Sequence, residues 1–392
     1  MATIVDGKNR IPFMRGMLIH YLIQRGFEHE DASTIANSAR EALRTAGNVR
    51  KKDMVKLVRE LIYKQHGECD VGDLVFWERL PTSITIDRNG KSHPLSKDRL
   101  GRDIQVTGIA PDTAYQIART LENRLLDQRR QRIHASELAE FTTSYLSEEY
   151  GEQQAQRFRL WHDWREHGKP LIILIGGASG VGKTSLAITL ANLLSIPRVV
   201  ATDDIRQTMR LMLSTELMPT LHPSSYTAGD ALPDSCAAEE DPVISGFREQ
   251  ARVVAVGVRA IIARCIEENT SVIIDGVHLL PELIDLDAHA TKACCAPLTL
   301  ALSNHEAFEM RFAERARQAP ERPVHRYLAN LENIMRIQDY ILTESKAHGI
   351  PVIETSTDDD AANTAVMLIG DHLDAQTGSS GQAGAKKKSG KS

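Results

Sequence analysis

The period of apolar and polar positions changes several times along the chain, and each change predicts an element. Leu171 to Ile175 are five consecutive apolar, mostly β-branched residues, the pattern of a strand buried on both faces in a parallel sheet covered by helices. Past a Gly-rich interval, Leu186, Ala187, Leu190, Leu193 and Leu194 recur at helical spacing. Four more strand-like runs follow at Arg198 to Ala201, Ser271 to Ile274, Leu298 to Leu302 and Pro351 to Glu354, with helical patterns between them. Ser303-Asn304-His305-Glu306 reads as a capping box that starts a helix, and His348-Gly349 as a helix stop. Five strands alternating with helices predict an α/β fold, a five-stranded parallel sheet with helices on both faces. Functional groups then belong at the carboxyl ends of the strands.

The N-terminal 150 residues carry a different pattern, and it occurs twice. Pro12 to Leu18 aligns with Pro94 to Leu100, and the same offset of 82 takes Gly26 to Gly108, Ile35 to Ile117, Ala36 to Ala118 and Leu43 to Leu125. A two-residue insertion then carries Asp53 to Glu137 and Leu57 to Phe141. Each copy begins with a hairpin-like start (Thr3 to Val5; Ser83 to Ile86), enters a helix after Pro, passes a Gly and continues into two more helices. This order resembles the ATP-cone, a small regulatory nucleotide-binding module, more closely in the first copy than in the second, which lacks the Phe after Pro. Nucleotide binding here is implied by resemblance alone. A duplicated helical module that packs or forms a homo-oligomer explains the same pattern.

Composition bounds what these parts do. The chain has 392 residues, 42% hydrophobic and 25% charged, too long for one small module and too apolar for wholesale disorder. The expected division is repeat 1 over 1–78, repeat 2 over 79–155, a P-loop domain over 156–374 and a disordered basic tail over 375–392. The tail holds Lys386, Lys387, Lys388 and Lys391 and no acid, so the body is more acidic than the whole-chain charge of -5. That acidity, with only 5% aromatics, disfavours a nucleic-acid partner. Five cysteines without CxxC spacing, and no apolar run long enough to span a membrane, point to a reduced, cytoplasmic protein with no membrane partner.

The decisive motif fills the Gly-rich interval. Gly176-Gly177-Ala178-Ser179-Gly180-Val181-Gly182-Lys183-Thr184 satisfies GxxxxGK[ST] between a strand and a helix, the order a phosphate-binding loop requires. Gly177, Ala178, Ser179, Gly180, Val181, Gly182, Lys183, Thr184 and Ser185 are the expected nucleotide-binding residues. Backbone N–H groups would converge on phosphate, Lys183 would follow the transferred charge, and Thr184 would offer its hydroxyl to Mg²⁺ carried with ATP. Asp275, closing the third strand before Gly276-Val277-His278, sits where a second metal-holding carboxylate belongs. Asp203, after the second strand, is the expected acceptor-side catalytic carboxylate, with Thr202 or Asp204 able to cap the helix that follows. His278 reads more readily as a packed histidine than as a proton carrier.

Between the fourth and fifth strands, an arginine-rich, proline-interrupted segment resembles the mobile lid of small-metabolite and nucleotide kinases. Arg311, Arg315, Arg322 and Arg326 are its candidate phosphate contacts, and Arg311 and Arg315 are the ones expected to act in catalysis. The segments GGASGVGKT, VATDDIR, LMPTLHPSSYTA, DGVHLLP and the stretch from Arg326 to Ile341 together resemble 2-phosphoglycerate kinases. The resemblance implies transfer of the ATP γ-phosphoryl to the free hydroxyl of 2-phosphoglycerate. For such a small anionic, phosphorylated acceptor, Asp203, Arg206, Arg210, His222, Ser224, Ser225 and Tyr226 are the expected binding residues. Two features depart from the family pattern: the second repeat, and Asp275 where Glu is expected. Another phosphorylated polyol or sugar acid as acceptor, a nucleotide-responsive regulatory or scaffold ATPase, and a polynucleotide kinase remain open at this stage.

Overall fold

The structure, a computed structural model, describes residues 2–7, 9–44, 47–67, 74, 84–128, 130–232, 241–318, 324–354 and 358–388. Its residues group into two compact units. One is built on residues up to Gly101 together with Pro111–Tyr145, the other on Arg102–Ala110 together with residues from Leu146 on.

The first unit holds repeat 1 and most of repeat 2, whose Arg102–Ala110 and Leu146–Tyr150 belong to the second. Repeat 1 runs β1 (Thr3–Asp6), β2 (Asn9–Pro12), α1 (Arg15–Gln24), α2 (His29–Ala42), β3 (Asn48–Arg50) and α3 (Lys51–His66). Repeat 2 repeats the order as β4 (Thr85–Arg88), β5 (Lys91–Pro94), α4 (Lys97–Gln105), α5 (Pro111–Asp127), β6 (Arg132–His134) and α6 (Ala135–Tyr150). Each forms a three-stranded sheet with its first strand in the middle, antiparallel to the second and parallel to the third. The internal alignment is physical: Gly26 and Gly108 both adopt positive φ, 94° and 93°, and Ile35, Ala36, Leu43 and their counterparts Ile117, Ala118 and Leu125 are all buried. Asp53 and Glu137 sit in the first turns of α3 and α6, where a carboxylate complements the helix dipole. Strands β3 and β6 go beyond the sequence reading, because three residues are too few to show a period. The second copy's opening strand lies slightly later than expected, and Ser83 is outside the described residues. Arg25 pairs with Asp127, and Arg119 Nη2 donates to the Ile23 carbonyl at 3.0 Å, joining the copies.

The second unit begins with α7 (Glu152–His167) and then alternates: β7 (Leu171–Gly176), α8 (Lys183–Leu194), β8 (Val199–Ala201), α9 (Thr202–Met212), α10 (Pro242–Glu267), β9 (Val272–Asp275), β10 (Cys294–Ala301), α11 (His305–Gln318), α12 (Val324–Ala329), α13 (Leu331–Ala347), β11 (Val352–Glu354) and α14 (Asp358–Lys388). The five strands are all parallel, in the order β11-β10-β7-β9-β8. All six residues of β7 are buried. Leu171, Ile173 and Ile175 enter one apolar cluster while Ile172 and Leu174 enter another, which is why the strand reads as an unbroken apolar run. Each such side chain contributes about 1.5–3 kcal/mol of burial. The central position of β7 follows from this, and edge strands β8 and β11 are shorter and partly exposed.

Asn304 caps α11, its Oδ1 accepting from the Ala307 N–H at 2.9 Å, and Gly349, at φ 65°, follows the end of α13. α14 runs to Lys388, across the boundary at 375 where the basic tail is expected to begin. Leu373 is buried two residues before that boundary. Cys265, Cys294 and Cys295 are free and buried. Burial pushes the thiols of Cys294 and Cys295 up to about 12 and about 11, so they pack as small apolar groups. No helix among the described residues is long and apolar enough to cross a membrane.

Candidate active site

Parallel strands bring their carboxyl ends to one edge, and the pairing register fixes which residues meet there. Ile175 and Ala201 both align with Asp275. The phosphate loop therefore leaves the sheet beside Asp275 on one side, and Thr202 and Asp203 leave it on the other. Gly177 has φ 140°, and a Cβ there would run into the Leu300 carbonyl, so the first loop position admits glycine alone. Lys183 opens α8 and its Nζ donates to the Ala178 carbonyl across the loop at 2.5 Å. Ser179, Gly180, Val181 and Gly182 complete the curl, and Thr184 and Ser185 form the first turn of α8. The expected nucleotide-binding residues thus occupy one continuous strand–loop–helix turn.

Thr184 Oγ1 donates to Asp275 Oδ2 at 2.8 Å. Asp275 is only 2% exposed, and its Oδ1 is buried without a hydrogen-bond partner. Burial raises its pKa above the ordinary aspartate value, against the lowering effects of the Thr184 hydrogen bond and the nearby Lys183. A carboxylate kept buried with one oxygen unpaired, next to a hydroxyl, suits a hard cation with oxygen ligands. Among the described residues no cluster of three or more His, Cys, Asp or Glu could hold a metal alone, and a cation at Thr184 and Asp275 would need oxygens from elsewhere, as Mg²⁺ does when it binds with phosphates.

On the acceptor side, α9 presents Asp203, Arg206 and Arg210 at helical spacing on one face. Asp203 is exposed, with 72% of its side chain accessible, and lies 3.6 Å from Arg206 Nε. Neither Thr202 nor Asp204 caps the helix: the N-cap is Ala201, without a side-chain cap bond. Thr202 is instead turned inward to His278 Nδ1, 2.8 Å away. Arg206 is largely buried. Its Nη1 donates to the carbonyls of Leu221 and Pro223 at 3.2 and 2.9 Å, so part of a side chain expected to bind acceptor holds the acceptor loop. Burial lowers its pKa, with Arg210 adding to the effect and Asp203 opposing it. The Nε atoms of Arg206 and Arg210 are buried without a hydrogen-bond partner.

The loop itself is a pair of 3₁₀ turns, Pro219–Leu221 and Ser225–Ala231. His222 Nε2–H donates to the Leu213 carbonyl at 3.0 Å, while Ser225 and Tyr226 are buried and Ser224 is half-buried. Tyr226 lies 5.9 Å from Tyr327, which stacks on Phe312 at 5.1 Å, and Phe312 packs against Gly180. An aromatic file thus ties α11 and α12, which flank the arginine-rich segment, to both the phosphate loop and the acceptor loop. Arg311 is half-buried on α11, and Arg326 is exposed on α12. Arg315 lies on α11, with its side chain outside the described residues, and Arg322 lies wholly outside them. A separate cavity of about 400 Å³ is lined by none of these site residues.

Two residues that carry site geometry escape a motif search: Gln250 and Asn333. Gln250, on α10, is fully buried and connects His278 to the acceptor loop; Asn333 Nδ2 donates to the Tyr226 carbonyl at 3.1 Å. A signal for the first exists in the sequence. Phe247, Gln250, Ala251 and Val254 share one helix face, and a polar residue among core positions implies a buried partner.

A P-loop on the central strand and a buried carboxylate at the end of its neighbour define a P-loop phosphotransferase. No protein-family model matches the chain. Among curated proteins, it is 38% identical over 281 residues to a 2-phosphoglycerate kinase from Methanopyrus kandleri, covering 71% of this chain and 85% of that one. It is 37% identical over 302 residues to the 2-phosphoglycerate kinase of Methanothermobacter thermautotrophicus, covering 76% and 97%, and 36% identical over 270 residues to that of Pyrococcus furiosus, covering 69% and 87%. The chain belongs to the 2-phosphoglycerate kinase family. Among solved structures, a gluconokinase from Sinorhizobium meliloti 1021 matches over 54% of this chain and 98% of its own, at 13% identity and a TM-score of 0.33, a likeness too slight to bear on the assignment.

Proposed function

We propose that the protein transfers the γ-phosphoryl group of ATP to the free hydroxyl of 2-phosphoglycerate, giving 2,3-bisphosphoglycerate and ADP. The observation that carries the reading is the basic face of α9: Arg206 Nε lies 3.6 Å from the exposed Asp203 carboxylate, and Arg210 Nε is buried without a hydrogen-bond partner. An unpaired buried donor is costly, and an anionic phosphate or carboxylate would supply the acceptor that Arg210 Nε lacks. The names of the relatives support the same acceptor.

In this reading the loop from Gly177 to Ser185 cradles the ATP phosphates with backbone N–H groups. Lys183 exchanges the Ala178 carbonyl for phosphate oxygen, and Arg311, Arg315, Arg322 and Arg326 add charge as the lid closes. Thr184 and Asp275 would hold Mg²⁺, which neutralises charge on the β- and γ-phosphates. Asp203 orients the acceptor hydroxyl and takes its proton as the new O–P bond forms and the bond from Pγ to the β,γ-bridging oxygen breaks, leaving ADP. Arg206, Arg210, His222, Ser224, Ser225 and Tyr226 form the acceptor side. The two ATP-cone-like repeats supply regulation and a surface for homo-oligomer formation, a role that rests on resemblance.

Purified protein with Mg-ATP is expected to consume ATP in the presence of 2-phosphoglycerate and to yield a bisphosphorylated product, with 3-phosphoglycerate and other phosphorylated sugar acids or polyols much weaker. Turnover that needs no acceptor, or a clear preference for another one, would reject this acceptor.

Asp275→Asn separates stability from activity. Because burial holds the folded pKa of Asp275 above its unfolded value, this group's contribution to metal-free stability is full below the unfolded pKa and is lost as pH rises through the folded pKa. A neutral isostere removes that opposition. The variant is expected to melt at the same or higher temperature than the wild type at neutral pH without metal, and to lose most of the extra stabilisation given by Mg-ATP, with activity down about 100-fold. Scanning calorimetry with and without Mg-ATP checks it; a lower metal-free melting temperature would contradict the sign.

A further inference from the structure

We propose that a buried relay, Thr202–His278–Gln250, positions the acceptor loop against the strand end that carries Asp203, and so sets affinity for the acceptor rather than for ATP; the kinetic part rests on the acceptor reading above. The relay is continuous. Gln250 Nε2 donates to the carbonyls of Thr220 and Pro223 at 2.6 and 3.1 Å, which fixes its Oε1 as acceptor. His278 Nε2–H donates to that oxygen at 3.0 Å, and His278 Nδ1 then accepts from the Thr202 hydroxyl at 2.8 Å. One tautomer satisfies every bond.

All three side chains are fully buried, so no water competes for these groups. Burial pushes the His278 imidazole down to about 4, and the ring stays neutral, as the relay needs. Gly276 clears the way: a Cβ there would overlap the Thr202 hydroxyl. The relay joins parts that the chain keeps far apart. Thr202 immediately precedes Asp203, and Thr220 and Pro223 belong to the loop that carries His222, Ser224, Ser225 and Tyr226. The Pro223 carbonyl accepts from both Gln250 and Arg206, so α9 and α10 suspend the loop between them. Gln250 and His278 touch neither nucleotide loop nor reacting atoms; they are positioning residues.

The test uses the full-length protein and Gln250→Leu, which keeps volume while removing the donors. Hydrogen exchange needs no acceptor: residues 214–231 are expected to exchange faster in the variant while 176–186 are unchanged. Acceptor KM is expected to rise about tenfold, with the KM for ATP within about twofold. His278→Phe should reproduce both effects and His278→Gln, which retains an Nε donor, should largely restore the wild-type values, so the idea stays testable if Gln250→Leu folds poorly. Unchanged exchange in the loop, or equal losses for both substrates, overturns the proposal. A wild type inactive on 2-phosphoglycerate defeats the acceptor reading instead, and the exchange experiment still decides the relay.

Discussion

Lys183→Ala is expected to lower kcat by about 100- to 1,000-fold while ATP binding weakens far less. The ammonium sits at the start of α8 and reaches back to the Ala178 carbonyl, so it is held over the curl of the loop before any phosphate arrives. When charge moves onto the transferring group, Lys183 is a unit charge already positioned in the first turn of the helix, and removal of one such preorganised group costs about 100- to 1,000-fold. The ground state loses less, because the loop's backbone N–H groups and the α8 dipole still hold the phosphates. The fold should be indifferent, since the side chain is half-exposed and supports no apolar cluster. Steady-state kinetics beside an ATP-binding titration and a melting curve separate these effects. A variant that keeps a tenth of the wild-type kcat with 2-phosphoglycerate would remove Lys183 from catalysis.

The difference between what the sequence shows and what it hides lies in the distance over which a residue's role is defined. β7 and the phosphate loop are legible because every requirement is local: an apolar run for a strand covered on both faces, glycines for the curl, Lys-Thr at the helix start. The same holds for Asp275, whose place at a strand end follows from Val272 to Ile274 before it. The repeat was legible because identical spacing recurs, and Gly26 and Gly108 share the backbone conformation that recurrence implies. Roles fixed by remote partners were not. Thr202 looks like a helix cap and serves His278, 76 residues away. Arg206 looks like an anion ligand, and its Nη1 is committed to carbonyls 15 and 17 residues on. His278 reads as a packed histidine, which it is, but packing here means two directed hydrogen bonds in a relay.

Asp203→Asn is expected to leave ATP affinity intact and cut phosphoryl transfer by about 100- to 10,000-fold, the range for loss of a positioned acid or base. The two carboxylates at this edge of the sheet have opposite environments. Asp275 is buried and bonded to Thr184, which suits holding a cation. Asp203 is exposed, in the first turn of α9, with Arg206 Nε at 3.6 Å, which suits a group that must meet an incoming substrate and accept a proton. Asparagine preserves shape and the ability to orient a hydroxyl, but it cannot take the proton. The structural cost is small, because losing a carboxylate from an exposed first turn forfeits about 0.3–1 kcal/mol of helix-dipole interaction. The informative measurement pairs ATP titration with single-turnover transfer to 2-phosphoglycerate. Weakened ATP binding with normal transfer would move Asp203 to the nucleotide side and break the division of labour between the two aspartates. Intact binding with transfer lost would fix it: one carboxylate for the cation at the end of β9, one for the acceptor just past the end of the neighbouring β8, whose Ala201 is in register with Asp275.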